Sequence, residues 1–133
     1  KPDINCNPGV WNMTRQKVLE RDVVTAIRNL LDIHQMRGAL VYKRINTGAK
    51  LRNIRRRTVF TKNTDMIGMS DFILWIKNGP GGVCWEIKSP EKSAKQSEDQ
   101  QKFESEILRV GHEYYVLRSL DEAILMLKSY GVT

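Results

Sequence analysis

The chain has 133 residues, of which 41% are hydrophobic, and its formal net charge at pH 7 is +7. This length suits one domain with one core, and the hydrophobic content argues against an overall disordered chain. No apolar run approaches the ~18 residues of a membrane span and no secretory signal is visible, so we expect a cytoplasmic protein. The excess of positive charge favours nucleic acid or an anionic surface as the partner.

Residues 1–13 contain two prolines, a glycine and three asparagines, so they predict an irregular N-terminal arm before a single domain of residues 14–133. Thr14 is a plausible N-cap, and the helical spacing of apolar residues beyond it predicts a first helix that ends near His34. Glu20 lies at the edge of the apolar stripe of this helix. From the residues alone, it is either an exposed helix carboxylate or a group turned toward a site.

A strand with alternating polarity is predicted over residues 39–45, and a basic segment follows it. Between residues 43 and 62 there are eight basic residues and no acid: Lys43, Arg44, Lys50, Arg52, Arg55, Arg56, Arg57 and Lys62. Residues 58–61 are expected to pair only weakly. Such a run is either a solvated loop or a track for a phosphate backbone, and its position just before an acidic cluster favours the track.

Two strands of a hairpin carry the most informative residues. Residues 71–76 are nearly all apolar, which predicts a central strand, and residues 83–88 return as its partner after a glycine-rich loop. Because side chains alternate along a strand, Glu86 and Lys88 project from one side, with Asp71 across the hairpin. Two carboxylates beside one ammonium can hold a divalent cation and orient a water for attack on a phosphodiester. The alternative is that Asp71 caps a turn and that Glu86 and Lys88 form a surface ion pair.

The last part of the chain predicts a helix capped by Ser97, a strand at residues 113–117 and a third helix opened by a capping box at Ser119. The resulting order, α-β-β-β-α-β-α, predicts an α/β fold with a mixed β-sheet flanked by helices. The helical crossover before the last strand makes the two strands that it joins parallel. Trp75 and Trp85 are both expected in the core.

Six short patterns occur in order along residues 15–130: Glu20, Arg44-Ile45-Asn46-Thr47-Gly48, Gly68-Met69-Ser70-Asp71, Glu86-Ile87-Lys88, Ser97-Glu98-Asp99-Gln100 and Gly111-His112-Glu113-Tyr114-Tyr115-Val116. Together they resemble the PD-(D/E)XK nuclease superfamily, with its restriction-endonuclease-like fold. Within it, the chain is similar to the VRR-NUC (virus-type replication-repair nuclease) group, which is common in phages. Ser70 stands where the superfamily pattern has proline, a departure that removes no ligand.

This resemblance implies a role for each site residue. Asp71 and Glu86 would bind Mg²⁺ or Mn²⁺ directly, the backbone carbonyl of Ile87 would add an oxygen, and Glu20 would face the metal. Lys88 would favour hydroxide formation and steady the charge on the phosphate. Gln100, preferred over its neighbour because of the spacing to the following phenylalanine, would hold Lys88 or the attacking water. The implied nucleic-acid contacts are Arg44, Asn46, Lys50, Arg52, Arg55, Arg56, Arg57 and Ser70.

The function implied is a metal-dependent DNA endonuclease that is either selective for four-way junctions or other branched DNA, or tolerant of sequence on duplex DNA. It would act as a homodimer in the cytoplasm of a bacterium or phage host, without a small-molecule cofactor or a membrane. Two alternatives stay open: a basic DNA-binding module without catalysis, and a nuclease domain cut from a larger repair protein. The sequence fits one or two metal ions, and DNA or RNA, equally well.

Overall fold

A computed structural model of the chain describes residues 18–45, 50–54, 57–61, 66–91 and 93–133. Its helices are α1 (Glu20–Met36), α2 (Glu98–Arg109) and α3 (Leu120–Ser129), and its strands are β1 (Leu40–Arg44), β2 (Lys50–Ile54), β3 (Arg57–Thr61), β4 (Phe72–Ile76), β5 (Gly81–Ile87) and β6 (Tyr114–Leu117). The predicted N-terminal arm and its boundary with the domain lie outside the described residues. Among the described helices, none combines the length and apolar character needed to cross a membrane.

Four of the strands form one mixed sheet in the order β1-β4-β5-β6. β4 pairs antiparallel with β1 and β5, while β5 and β6 are parallel and are joined through α2. The predicted α/β architecture, a mixed sheet flanked by helices, is therefore confirmed. In the β4–β5 pair Phe72 is opposite Trp85. Asp71, which precedes Phe72, and Glu86, which follows Trp85, therefore lie next to each other at the end of β4.

The core lies between one face of the sheet and the helices α1 and α3. Both helices contribute buried apolar side chains, and so do alternate residues of the strands; the largest are Ile27, Leu31, Phe72, Leu74, Trp85, Ile87 and Leu127. Strand alternation places Glu86 and Tyr114 on the opposite face. There α2 lies over β6, with the Phe103 ring edge-on to the Tyr114 ring at a centroid distance of 6.1 Å.

Two predicted elements differ from the structure. The helix that ends near His34 begins at Glu20, because the Asp22 carboxylate accepts a hydrogen bond from the Leu19 N–H (3.1 Å) and caps the helix there. Its predicted N-cap, Thr14, lies outside the described residues. The basic segment contains a two-stranded antiparallel hairpin, β2–β3, which adds two strands to the predicted order. Its second strand includes the segment expected to pair only weakly, and β-branched and aromatic residues favour an extended backbone.

The two strand tryptophans, both expected in the core, have different environments. Trp85 is fully buried, whereas Trp75 is 44% exposed on the face opposite α1 and α3. Its indole lies over Gly81, where an added Cβ would come within 2.9 Å of the Trp75 Cδ1 atom. The prediction was wrong for Trp75 because strand alternation turns it away from the core.

Candidate active site

Asp71 lies immediately before β4 and is held by both neighbouring strands. Its Oδ2 atom accepts a hydrogen bond of 2.7 Å from the Ile87 N–H, and its backbone carbonyl accepts one of 2.8 Å from the Ile45 N–H. The first bond crosses to β5 and the second comes from the residue after β1. The carboxylate of Asp71 is therefore fixed at the end of the sheet, beside Glu86.

Glu86 is a carboxylic acid in the interior of the protein, with a relative exposure of 2%. Its Oε1 atom accepts a hydrogen bond of 2.7 Å from Gln100 Nε2 and lies 3.9 Å from Lys88 Nζ. Its Oε2 atom is 3.5 Å from the Tyr114 hydroxyl, which donates to it. The Lys88 side chain is itself only 12% exposed, so the ammonium and the carboxyl group meet largely away from water.

The surroundings of Glu86 disfavour its charge. Burial, and then the negative charge of Asp71, raise the pKa of Glu86 from 4.5 to about 9. A hydrogen bond with Asp71 raises this pKa further, the Lys88 ammonium lowers it, and the charge of Glu20 has the smallest influence. In the metal-free protein Glu86 is therefore mainly protonated at neutral pH, and the described residues around the two carboxyl groups supply too little positive charge to ionise both.

This charge deficit is the observation that tests whether a divalent metal fits. Mg²⁺ is usually held by one or two carboxylates, with water and substrate phosphates as the other ligands. Asp71 and Glu86 supply two such groups side by side, so the donor set fits. No three acidic, histidine or cysteine side chains of the described residues form a ready-made metal group. Glu20, at the exposed start of α1, influences Glu86 by its charge alone, and no direct contact between the two is described.

Gln100 owes its position to the start of α2. Ser97 caps this helix: its Oγ accepts from the Gln100 N–H (3.2 Å), and the Gln100 Oε1 atom accepts from the Ser97 N–H (2.9 Å). This capping box fixes the Gln100 side chain and leaves its Nε2 group for Glu86. The neighbouring Gln101 instead donates to the Gln96 carbonyl (3.3 Å). Of the two glutamines Gln100 thus reaches the site, although it contacts Glu86 and not the predicted Lys88.

The loop before Asp71 packs closely against the first turn of α2. Gly68 has φ +84°, and a Cβ there would lie 2.5 Å from the Asp99 carbonyl oxygen. Ser70, in the same loop, is 1% exposed, and its hydroxyl donates to the Phe72 carbonyl (3.1 Å). The structure therefore gives no support to Ser70 as a nucleic-acid contact, because its side chain is enclosed.

Two polar residues of this site were not predicted. Tyr114 is buried and contacts Glu86, and Gln96 Nε2 donates to the Tyr114 hydroxyl (3.3 Å). Burial and the charge of Glu86 raise the pKa of Tyr114, so its hydroxyl stays protonated. Strand alternation was the available signal, since it places Tyr114 on the sheet face that carries Glu86.

The predicted nucleic-acid contacts are described only in part. Arg44 is exposed at the end of β1, where its register partner Phe72 directly follows Asp71. Lys50, Arg52 and Arg57 belong to the strands of the β2–β3 hairpin. Asn46, Arg55 and Arg56 lie outside the described residues. The side chain of Ile87, whose backbone carbonyl is the predicted ligand, lies in the core. Its backbone N–H donates a hydrogen bond to the Asp71 carboxylate.

Comparison of the chain with family models, with curated proteins and with solved structures gave no match. The geometry of these residues and the order of the sequence patterns are therefore the observations that bear on function.

Proposed function

We propose that this protein is a Mg²⁺- or Mn²⁺-dependent nuclease with a PD-(D/E)XK-type fold, which hydrolyses phosphodiester bonds in DNA. One observation carries the proposal: Asp71 and Glu86 lie side by side across the β4–β5 hairpin, with Lys88 Nζ 3.9 Å and Gln100 Nε2 2.7 Å from the same glutamate oxygen. Two carboxyl groups, an ammonium and an amide at one point of a sheet are the groups that metal-assisted phosphodiester hydrolysis requires.

Each residue has a separate task in this proposal. Asp71, anchored by the Ile87 N–H, and Glu86 would hold the ion, and Glu86 would release its proton when the ion binds. A bound Mg²⁺ would supply positive charge for the phosphate oxygens and a water of lowered pKa. Lys88 keeps a compact positive charge where the negative charge of the transition state develops. Gln100 fixes the orientation of the Glu86 carboxyl group.

The proposed substrate is DNA, either duplex or branched, with four-way junctions as the first candidate. The net charge of +7, the basic segment and the exposed Arg44 beside Asp71 support a polyanionic substrate. A homodimer is proposed as well, because symmetric cleavage of two strands needs two sites related by a two-fold axis. Static light scattering of the purified protein tests this proposal, and a monomer mass with and without DNA would contradict it.

A second candidate function has one observation in its favour. The metal-free Glu86 is hydrogen-bonded by Gln100 and Tyr114, as a purely structural buried carboxyl group would be. The protein would then be a nucleic-acid-binding module that does not cleave.

A cleavage assay separates the two candidates. Branched and linear DNA duplexes and an RNA duplex are incubated with the protein in EDTA, Ca²⁺, Mg²⁺ or Mn²⁺. We expect cleavage of DNA in Mg²⁺ and Mn²⁺, its loss in Lys88→Ala with DNA affinity largely kept, and no change in Lys102→Ala, which removes an exposed lysine of α2. Binding without cleavage in every metal would support the module instead.

A further inference from the structure

The connection between β5 and α2 carries a site residue at each of its ends. Lys88 directly follows β5, and Gln100 lies in the first turn of α2. The described residues between them, 89–91 and 93–97, form neither helix nor strand. Their path therefore determines how far apart the Lys88 ammonium and the Gln100 amide stand around Glu86.

Arg118, the residue after β6, binds this connection at three points. Its Nη1 group donates to the carbonyls of Ser89 (3.0 Å) and Glu91 (2.8 Å), and its Nη2 group donates to the carbonyl of Ala94 (2.5 Å). A guanidinium is a planar group with five donors and no acceptor, so one side chain can satisfy several carbonyls in a fixed arrangement. These bonds involve a charged donor, which makes them stronger than neutral ones.

The backbone of Arg118 is itself held firmly. Its N–H donates to the Glu122 Oε1 atom (2.5 Å), at the start of α3, and the preceding Leu117 carbonyl accepts from the Lys88 N–H (3.0 Å). Lys88 and Arg118 therefore extend side by side from the paired ends of β5 and β6. The guanidinium therefore links the connection to the paired ends of β5 and β6, next to the site.

We propose that Arg118 is a positioning residue of the candidate active site: by binding the carbonyls of Ser89, Glu91 and Ala94 it sets the path from Lys88 to α2. This inference rests on the proposed function. Arg118 forms no hydrogen bond or ion pair with the side chains of Asp71, Glu86, Lys88 or Gln100, and acts through the backbone. It follows that loss of the guanidinium lowers the rate of cleavage while DNA binding remains.

The test compares Arg118→Met, which keeps the length of the side chain without its donors, with Arg118→Lys and with the control Arg37→Met at an exposed position. Hydrogen exchange of residues 89–97 and of α1 is measured for each, together with kcat and KM for cleavage of branched DNA in Mg²⁺. For Arg118→Met we expect exchange at 89–97 to rise at least about tenfold, α1 to be unchanged, and kcat to fall at least about tenfold with KM within about twofold. Arg118→Lys should recover part of kcat, and Arg37→Met should match the parent.

The outcomes are separable. Unchanged exchange at 89–97, or faster exchange with an unchanged kcat, would overturn the inference and leave the proposed nuclease in place. A parent protein that cleaves in no metal would overturn both. If Arg118→Met does not fold, as judged by circular dichroism, Arg118→Lys carries the comparison with a smaller expected rise in exchange and a smaller fall in kcat, because a compact ammonium does not reproduce the planar fork that spans the three carbonyls.

Discussion

At the scale of single residues, Glu86 is subject to two conditions that both disfavour its charged form. It is almost fully buried, and it lies beside a second carboxyl group, with the Lys88 ammonium as the one positive charge that the described residues place against it. Both conditions favour the protonated acid when no cation is bound, and a divalent cation would reverse that preference. The residue is therefore a source of instability in the metal-free protein, which can be measured without an activity assay.

We expect the metal-free protein to lose stability as the pH rises. The pKa of Glu86 is about 9 in the folded protein and near 4.5 when the group is unperturbed, so between these values the folded state binds more protons than the unfolded state. The free energy of unfolding must then fall with increasing pH in this window. Glu86→Gln keeps the acceptor for Gln100 and has no proton to lose. In EDTA it should be more stable than the parent by roughly 1–3 kcal/mol at pH 8, and similar at pH 5.

Urea denaturation at pH 5, 6, 7 and 8 checks this prediction. The difference between Glu86→Gln and the parent should grow with pH and shrink again when Mn²⁺ is added to the parent. A difference that is constant across the range would show that ionisation of Glu86 does not limit stability.

The two neighbouring glutamines offer a matched pair at the same scale. Gln100→Ala removes the amide from Glu86 and one half of the capping box, whereas Gln101→Ala removes a single bond to the Gln96 carbonyl. We expect Gln100→Ala to lower kcat roughly ten- to a hundredfold and stability by about 1 kcal/mol. Gln101→Ala should have neither effect. Single-turnover cleavage and thermal unfolding measure both, and equal activities for the two variants would contradict the assignment of Gln100.

At the scale of elements, α2 is the helix that brings Gln100 to the site, yet none of its residues is buried. A helix usually gains its stability from an apolar face packed on the core. Here its position depends on a few contacts at its first half: the Phe103 ring on Tyr114, the Gln100 amide on Glu86, and Gly68 against the first turn. The placement of α2 is consequently sensitive to single substitutions.

Gly68→Ala tests this sensitivity against Gly111→Ala. Both glycines have a positive φ, but a Cβ at Gly68 would meet the Asp99 backbone at 2.5 Å, whereas the surroundings of Gly111 are open. The backbone penalty is therefore common to both variants, and only Gly68→Ala also pushes α2 away from the β4 side. We expect losses of about 1 kcal/mol for Gly111→Ala and more than about 2 kcal/mol for Gly68→Ala. Chemical denaturation gives both values; losses of the same size would mean that the close approach does not matter.

At the scale of the whole molecule, the charge of the protein is distributed unevenly. The basic segment of residues 43–62 begins in β1, beside the candidate site, and continues through the β2–β3 hairpin. The α1–α3 side carries basic residues that are spread out and mixed with acids. A polyanion is therefore attracted mainly to the part of the chain that contains the hairpin.

Neutralising Arg55, Arg56 and Arg57 together to glutamine should weaken binding to any DNA and flatten its salt dependence. Each lost phosphate contact reduces the slope of log K against log salt by about 1. A control variant changes the same number of charges, Arg37, Lys77 and Lys128, at exposed positions outside the basic segment. Fluorescence anisotropy over a series of salt concentrations measures the slopes. If the triple-arginine variant keeps the parental slope, these arginines are not in the interface.

Local patterns were sufficient to predict the four strands of the sheet and the three helices, although the start of the first helix at Glu20 was not predicted. Alternation, capping boxes and turn glycines act within a few residues, so they are visible in the sequence. The pairing of Asp71 with Glu86 was also within reach, because both lie near one short hairpin. The pairing of β2 with β3 was underestimated, since the run of arginines between and within the strands hid a weak extended pattern.

The remaining features depend on residues that are distant in the sequence. The parallel pairing of β5 with β6 brings Tyr114 to Glu86, and Arg118 to the connection after Lys88. The crossover through α2 places Gln100 within hydrogen-bond distance of Glu86. Burial of Glu86, and with it the raised pKa, exists only when β4, β6 and α2 surround the carboxyl group. The sequence by itself therefore determined which groups are present and on which strands and helices they lie. Their distances, the raised pKa of Glu86 and the hydrogen bonds of Arg118 to the connection were decided by tertiary packing, because desolvation and hydrogen-bond geometry have no local sequence signal.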